Sequence, residues 1–180
     1  MHFEELRVKG AFVVSPTEKL DERGFFARLF CEKEFAEQKL ESHFVQVNNS
    51  KSVHKGTLRG MHYQLPPAEE VKLIKCVTGQ LYDVVLDLRP ESETYGQWDS
   101  AILTPENRKM MYVPKGCAHG FITLTDNTEV IYLVSEFYSS SLERGVRWND
   151  PAFNIEWPLI PTVVSERDCS HADYVSEVRT

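Results

Sequence analysis

An all-β, antiparallel sandwich or barrel is the fold the sequence predicts, and three observations predict it. Short stretches of apolar and β-branched residues recur along the chain, with turns at intervals of about 8–12 residues. Pro, Gly and Asn punctuate them. Helical periodicity supports a single credible helix, over 32–40, where Phe35, Ala36 and Leu40 are spaced with charges between them.

Ala11-Phe12-Val13-Val14 reads as a strand closed by Ser15-Pro16, and Leu20 to Gly24 as a charged turn leading into a second strand, Phe25 to Phe30. Phe44 to Ser50 is a strand whose polar end departs from simple alternation. The heptad Leu58-Arg59-Gly60-Met61-His62-Tyr63-Gln64 follows, with a guanidinium, an imidazole, a phenol and an amide packed beside a glycine. A strand that only buried an apolar face would not need that mixture. Period-two geometry separates Arg59 from His62, but a bulge at Gly60 would bring both towards one cavity.

Pro66-Pro67 marks a loop before the strand Val71 to Val77, which carries Lys72 on one face and Lys75 on the other. Unless this strand lies at an edge, one of the two lysines points inward. Gly79 turns the chain into Leu81 to Leu88, the clearest strand, and further strands are expected at 97–103, 109–113, 119–124 and 129–137. The last 30 residues, with Trp148-Asn149-Asp150-Pro151 and Trp157-Pro158, read as an irregular packed tail. No linker or repeat interrupts residues 1–180, so one domain is expected.

Composition narrows the function. With 42% hydrophobic and 26% charged residues, the chain has the make-up of a globular protein with a sizeable core. A net charge of −7 argues against nucleic acid as a partner. No stretch approaches the ~20 apolar residues of a membrane span, and Met1 to Glu5 lacks the basic start and apolar run of a signal peptide. The four cysteines are scattered without a C-x-x-C pair, so reduced thiols and a cytoplasmic location are expected.

Chemistry-bearing residues concentrate in two places. Beside the heptad, Pro114-Lys115-Gly116-Cys117-Ala118-His119-Gly120-Phe121 delivers a histidine from a turn into a strand. Neither His62 nor His119 has a second histidine within a few residues, so no metal site is expected. Nucleophile elbows, phosphate loops and dinucleotide fingerprints are missing. Acid–base chemistry remains: histidines, tyrosines and an inward lysine suit proton transfer at a carbon beside a carbonyl.

The run Asp21-Glu22-Arg23-Gly24-Phe25-Phe26, then Phe44-Val45-Gln46 with Asn48, then the heptad, resembles the dTDP-4-dehydrorhamnose 3,5-epimerase family. The resemblance continues through Lys72-Leu73, Asp83-Val84, Asp87-Leu88-Arg89, Tyr95-Gly96-Gln97-Trp98, the His119 segment and Trp148-Asn149-Asp150-Pro151, covering about residues 11–169. It implies a cupin-type jelly roll, usually a homodimer, that acts without metal or cofactor on a nucleotide-linked 4-keto-6-deoxy sugar. By position it also implies His62 as the base, Asp168 as the carboxylate that orients it, Tyr132 as the acid on the opposite face, and Lys72 as the cation beside the enolate oxygen. Arg59 and His119 match family site positions. Arg23, Phe26, Gln46, Asn48, Tyr138, Glu143 and Arg167 match substrate contacts, with the arginines suited to a diphosphate.

The chain departs from the family pattern at Arg28, where a glutamate is common, at Glu69-Glu70-Val71, and at Leu133, where a lysine is frequent. These changes bear on the nucleotide and on whether one carbon or two are inverted. The competing readings are a single-carbon epimerase on another nucleotide sugar, a 3,4-ketoisomerase, and a catalytically silent sugar-binding cupin.

Overall fold

The computed structural model of the protein describes residues 1–175. Its strands are β1 (His2–Glu5), β2 (Phe12–Ser15), β3 (Glu18–Asp21), β4 (Gly24–Ala27), β5 (Gln46–Ser52), β6 (Thr57–Gln64), β7 (Lys72–Thr78), β8 (Leu81–Asp87), β9 (Trp98–Leu103), β10 (Met110–Val113), β11 (Cys117–Thr123), β12 (Thr128–Val134), β13 (Glu143–Gly145) and β14 (Val163–Val164). Two short helices, α1 (Glu32–Glu37) and α2 (Glu166–Ser170), complete the described elements.

One six-stranded sheet runs β1-β2-β10-β7-β12-β5. The other runs β13-β6-β11-β8-β9, with β14 added parallel to β6. All other pairings are antiparallel, which gives the jelly-roll arrangement. The inner faces meet in a core that joins Ile74, Cys76, Met111 and Val130 of the first sheet to Leu81, Val85, Leu103 and Phe121 of the second.

Both outer faces are also covered. Phe35 of α1, with Phe30 and Phe44, packs on Leu73, Met110 and Tyr112. The carboxy-terminal segment lays Val146, Phe153, Ile155 and Trp157 over Met61, Val84 and Leu86. Tyr82, Val84, Leu86 and Leu88, the alternating face of the clearest strand, therefore face the tail, while Leu81 and Val85 fill the inter-sheet core. Burial on both sides of a sheet explains why its strands read as near-continuous apolar runs.

Several boundaries differ from expectation. β4 ends at Ala27 rather than Phe30, because Phe30 leaves the strand to pack against Phe35 and Phe44. The charged turn around Leu20 includes a strand, β3, which among the described residues pairs only with β4. α1 stops at Glu37, and β12 stops at Val134 rather than Phe137. β1 was not anticipated. β13 was not anticipated either, and the tail is less irregular than predicted, since it supplies β14 and α2.

Candidate active site

The central strand pair β6–β11 shapes a cavity of about 510 Å³ between the sheets. His62 sits opposite His119, yet Arg59 sits opposite Phe121, so β6 spends one residue more than β11 between the two pairs. That is the bulge the glycine allows. Gly60 has φ +123°, and a Cβ there would stand 2.5 Å from the Cα of Gly120. The two glycines let the strands close, and Arg59 and His62 both line the cavity.

His62 Nε2 lies 2.6 Å from Asp168 Oδ1. Asp168 comes from the far end of the chain, delivered in two steps: β14 runs beside Thr57 and Leu58, and then α2 begins. Ser165 caps α2 by accepting the amide N–H of Asp168 through its hydroxyl at 3.0 Å, which turns the carboxylate inward. Asp168 is buried. Burial alone pushes its carboxyl up, but the bond and charge of His62, the Gly60 N–H and Ser165 outweigh that and hold it below the usual carboxylate range. An ionised Asp168 accepts Nε2–H and leaves Nδ1 as the nitrogen able to take a proton.

The choice between the two lysines is resolved by the sheet. β7 is flanked on both sides, by β10 and β12. Lys72 shares the inward face with Ile74 and Cys76 and lines the cavity. Its ammonium donates to the carbonyl of His62 at 3.3 Å and stands 3.1 Å from Glu70 Oε1. Lys75 lies on the other face with Leu73, where burial holds its ammonium below the usual lysine value.

Tyr132 reaches the same cavity from β12. Burial, then the charge of Glu70, raises its phenol, with Glu143 adding and Arg59 opposing. These surroundings favour the protonated phenol. His119 also lines the cavity, its Nε2 2.7 Å from Oδ1 of fully buried Asp83. An adjoining hollow shares His62, Lys72 and Tyr132 and is lined by Gln46, Asn48, Tyr138 and Glu143. There the Tyr138 hydroxyl donates to Glu143 Oε2 at 2.6 Å, and the Arg167 guanidinium meets the same oxygen at 2.6 Å.

Arg23 and Phe26 are not brought to this cavity. They sit on the β3–β4 hairpin, where Phe26 is 64% exposed and Arg23 pairs with Asp21 at 2.5 Å. Sequence reasoning did not assign Glu70, Asp83 or His171 to the site. Glu70 was noticed only as a charged departure, and Asp83 was visible as an acid inside an apolar strand. Ser165-x-x-Asp168 has the spacing of a helix cap and would have revealed α2.

The His62–Asp168 dyad and the Tyr132 phenol face one cavity from opposite sheets of a jelly roll, and fold and site together define the class: a cupin-type isomerase. A family profile described as dTDP-4-dehydrorhamnose 3,5-epimerase matches residues 5–175. The chain is 41% identical over 178 residues to the dTDP-4-dehydrorhamnose 3,5-epimerase of Shigella flexneri, covering 97% of each chain. Among solved structures, that of the Elizabethkingia anophelis enzyme of the same name superposes with a TM-score of 0.94 at 37% identity, covering 97% of this chain and 96% of that one. The Bacillus anthracis enzyme, with TDP and PPi bound, superposes at 0.92 and 38% identity over 96% and 99%. The chain belongs to the dTDP-4-dehydrorhamnose 3,5-epimerase family.

Proposed function

We propose that the protein inverts C3 and C5 of a nucleotide-linked 4-keto-6-deoxy sugar by removing a proton beside the ketone and returning one from the opposite face. The observation that carries this reading is the placement of His62 on β6 and Tyr132 on β12, strands of opposing sheets that line one cavity. His62 Nδ1 takes the proton from carbon, and Asp168 steadies the imidazolium that results. Electron density moves onto the C4 oxygen, and Lys72 stabilises that enolate. Tyr132 then gives its phenolic proton to the other face of the carbon, and solvent restores both groups. Opposite-face delivery is what changes the configuration. His119, held by Asp83, and Arg59 contact the sugar and its phosphates. Gln46, Asn48, Tyr138, Glu143 and Arg167 line the route to the nucleotide.

Arg23 and Phe26 fit this scheme if two copies associate. Their hairpin exposes Leu20, Phe25 and Phe26 at 76%, 53% and 64%, an apolar projection suited to a partner surface. In a homodimer the hairpin of one copy would reach the cavity of the other, each chain forming one catalytic domain. All four cysteines are free, in keeping with a reducing, cytoplasmic setting.

The test is incubation with dTDP-4-keto-6-deoxyglucose in heavy water, followed by NMR of the ring protons. Deuterium at both C3 and C5 is the expected result. Exchange at one carbon would replace the reading with a single-site epimerase, and no exchange with any nucleotide 4-keto sugar would leave a binding protein.

A further inference from the structure

Beyond the catalytic reading, the geometry points to a binding site for a borderline divalent transition ion, of the zinc class, formed by His62, Asp168 and His171. One ligand atom from each of the three lies within 4.8 Å of the others. Asp168 is buried and both imidazoles are half-buried. His171 directly follows α2, so the same cap that turns Asp168 inward also brings this ring to the dyad.

Two further observations support the site. The Nε2 atom of His171 is buried and has no hydrogen-bond partner among the described residues, so the ring offers an unused lone pair or proton inside the protein. Its approach depends on Gly145. A Cβ at that position would stand 2.0 Å from its Nε2, and Gly145 is the residue of β13 that pairs with His62. The bare backbone thus lets a second imidazole stand against the first. Two nitrogens and a carboxylate oxygen are the donor set that selects Zn²⁺, Co²⁺ or Ni²⁺, while Mg²⁺ and Ca²⁺ prefer oxygen alone. Of the neighbouring cations, Arg167 is already met by Glu143 and Lys72 by Glu70. An ion held here would take the place of the proton between His62 and Asp168, so the site is inhibitory.

The full chain, stripped of metal with a chelator and dialysed, is titrated with Co²⁺ and followed by visible absorption, then challenged with Zn²⁺ or Mg²⁺. Saturable binding of one ion per chain is expected, displaced by Zn²⁺ and not by Mg²⁺. His171→Ala should weaken it about tenfold or more, since loss even of an outer-shell partner costs that much. Gly145→Ala, which keeps the imidazole but pushes it away, should do the same, and His43→Ala, a change at an exposed histidine, should not. Circular dichroism checks that each variant is folded. Absence of a saturable signal, or equal binding by folded His171→Ala, would overturn the proposal. Inhibition by Zn²⁺, relieved in His171→Ala when each protein is compared with its own metal-free rate, depends also on the catalytic reading; the Co²⁺ titration does not, so the two fail separately.

Discussion

Lys72 Nζ and Glu70 Oε1 form an ion pair of 3.1 Å, each side chain only 12% exposed, beside the phenol of Tyr132. The amide of Gln64 also donates to Glu70, at 3.3 Å. The pair balances the site. It places a cation inside the cavity, yet also a negative charge where it opposes ionisation of the Tyr132 phenol. We expect Glu70→Gln to keep the fold and to move the basic limb of the kcat–pH profile to lower pH, because the phenol loses one of the charges that raise it. An unshifted limb would mean that Glu70 does not act on Tyr132.

The dyad can be probed from either end. His62→Asn should abolish substrate deuteration while leaving the circular dichroism spectrum intact. Asp168→Asn keeps the shape but offers an amide where the imidazole needs a carboxylate, and a loss on the order of 10⁴-fold in kcat is expected by comparison with other His–Asp pairs. Rates within tenfold of the parent would assign the base elsewhere.

Tyr132→Phe separates the two proton transfers. Base and lysine remain, so ring protons should still exchange with heavy water, but epimerised product should form about 10²–10⁴-fold more slowly. Full epimerisation would show that another acid serves.

Gly60 is constrained by space and by backbone. At φ +123° a side chain is strained, and its Cβ would meet Gly120 Cα at 2.5 Å, backbone against backbone. Gly60→Ala is therefore expected to cost about 2–5 kcal/mol, from overpacking and an unfavourable φ together. Urea denaturation measures this, and a loss below 1 kcal/mol would mean that the bulge relaxes freely.

Asp87 sets an acid limit on stability. Burial pushes its carboxyl up, but hydrogen bonds from Arg89, Ser92 and Thr94 outweigh this and bring it down to about 2. A carboxyl depressed on folding contributes stability that is complete above its unfolded value near pH 4 and is lost as the pH falls towards 2. The contribution is ~2–3 kcal/mol. Denaturation midpoints should fall across that window for the parent, and Asp87→Asn should be less stable at neutral pH and flatter between pH 4 and 2.

The strands of the two-sheet core and the chemistry they carry were legible in the amino-acid order alone. Alternation is a local property, so β2 and β5 to β12 were legible within a few residues. The bulge was legible because a glycine between Arg59 and His62 has few other uses in a strand. The family resemblance named His62, Lys72, Tyr132 and Asp168, and all four line one cavity.

Which face of each strand turns inward, and what meets there, follows from how the two sheets pack. Lys72 and Lys75 are equivalent to any reading of alternation, and their difference arises because α1 covers one face of β7 while the second sheet covers the other. His62 and Asp168 are separated by 106 residues, and no local pattern records that β14 runs beside β6 or that a single turn of helix then turns the carboxylate in. The same holds for Glu70 beside Lys72, Asp83 beneath His119, and Arg23 and Phe26 standing clear of the cavity on their hairpin. Strand identity depends on neighbours a few residues away. A site depends on distances between residues far apart in the chain, which are set when the two sheets close over their shared core.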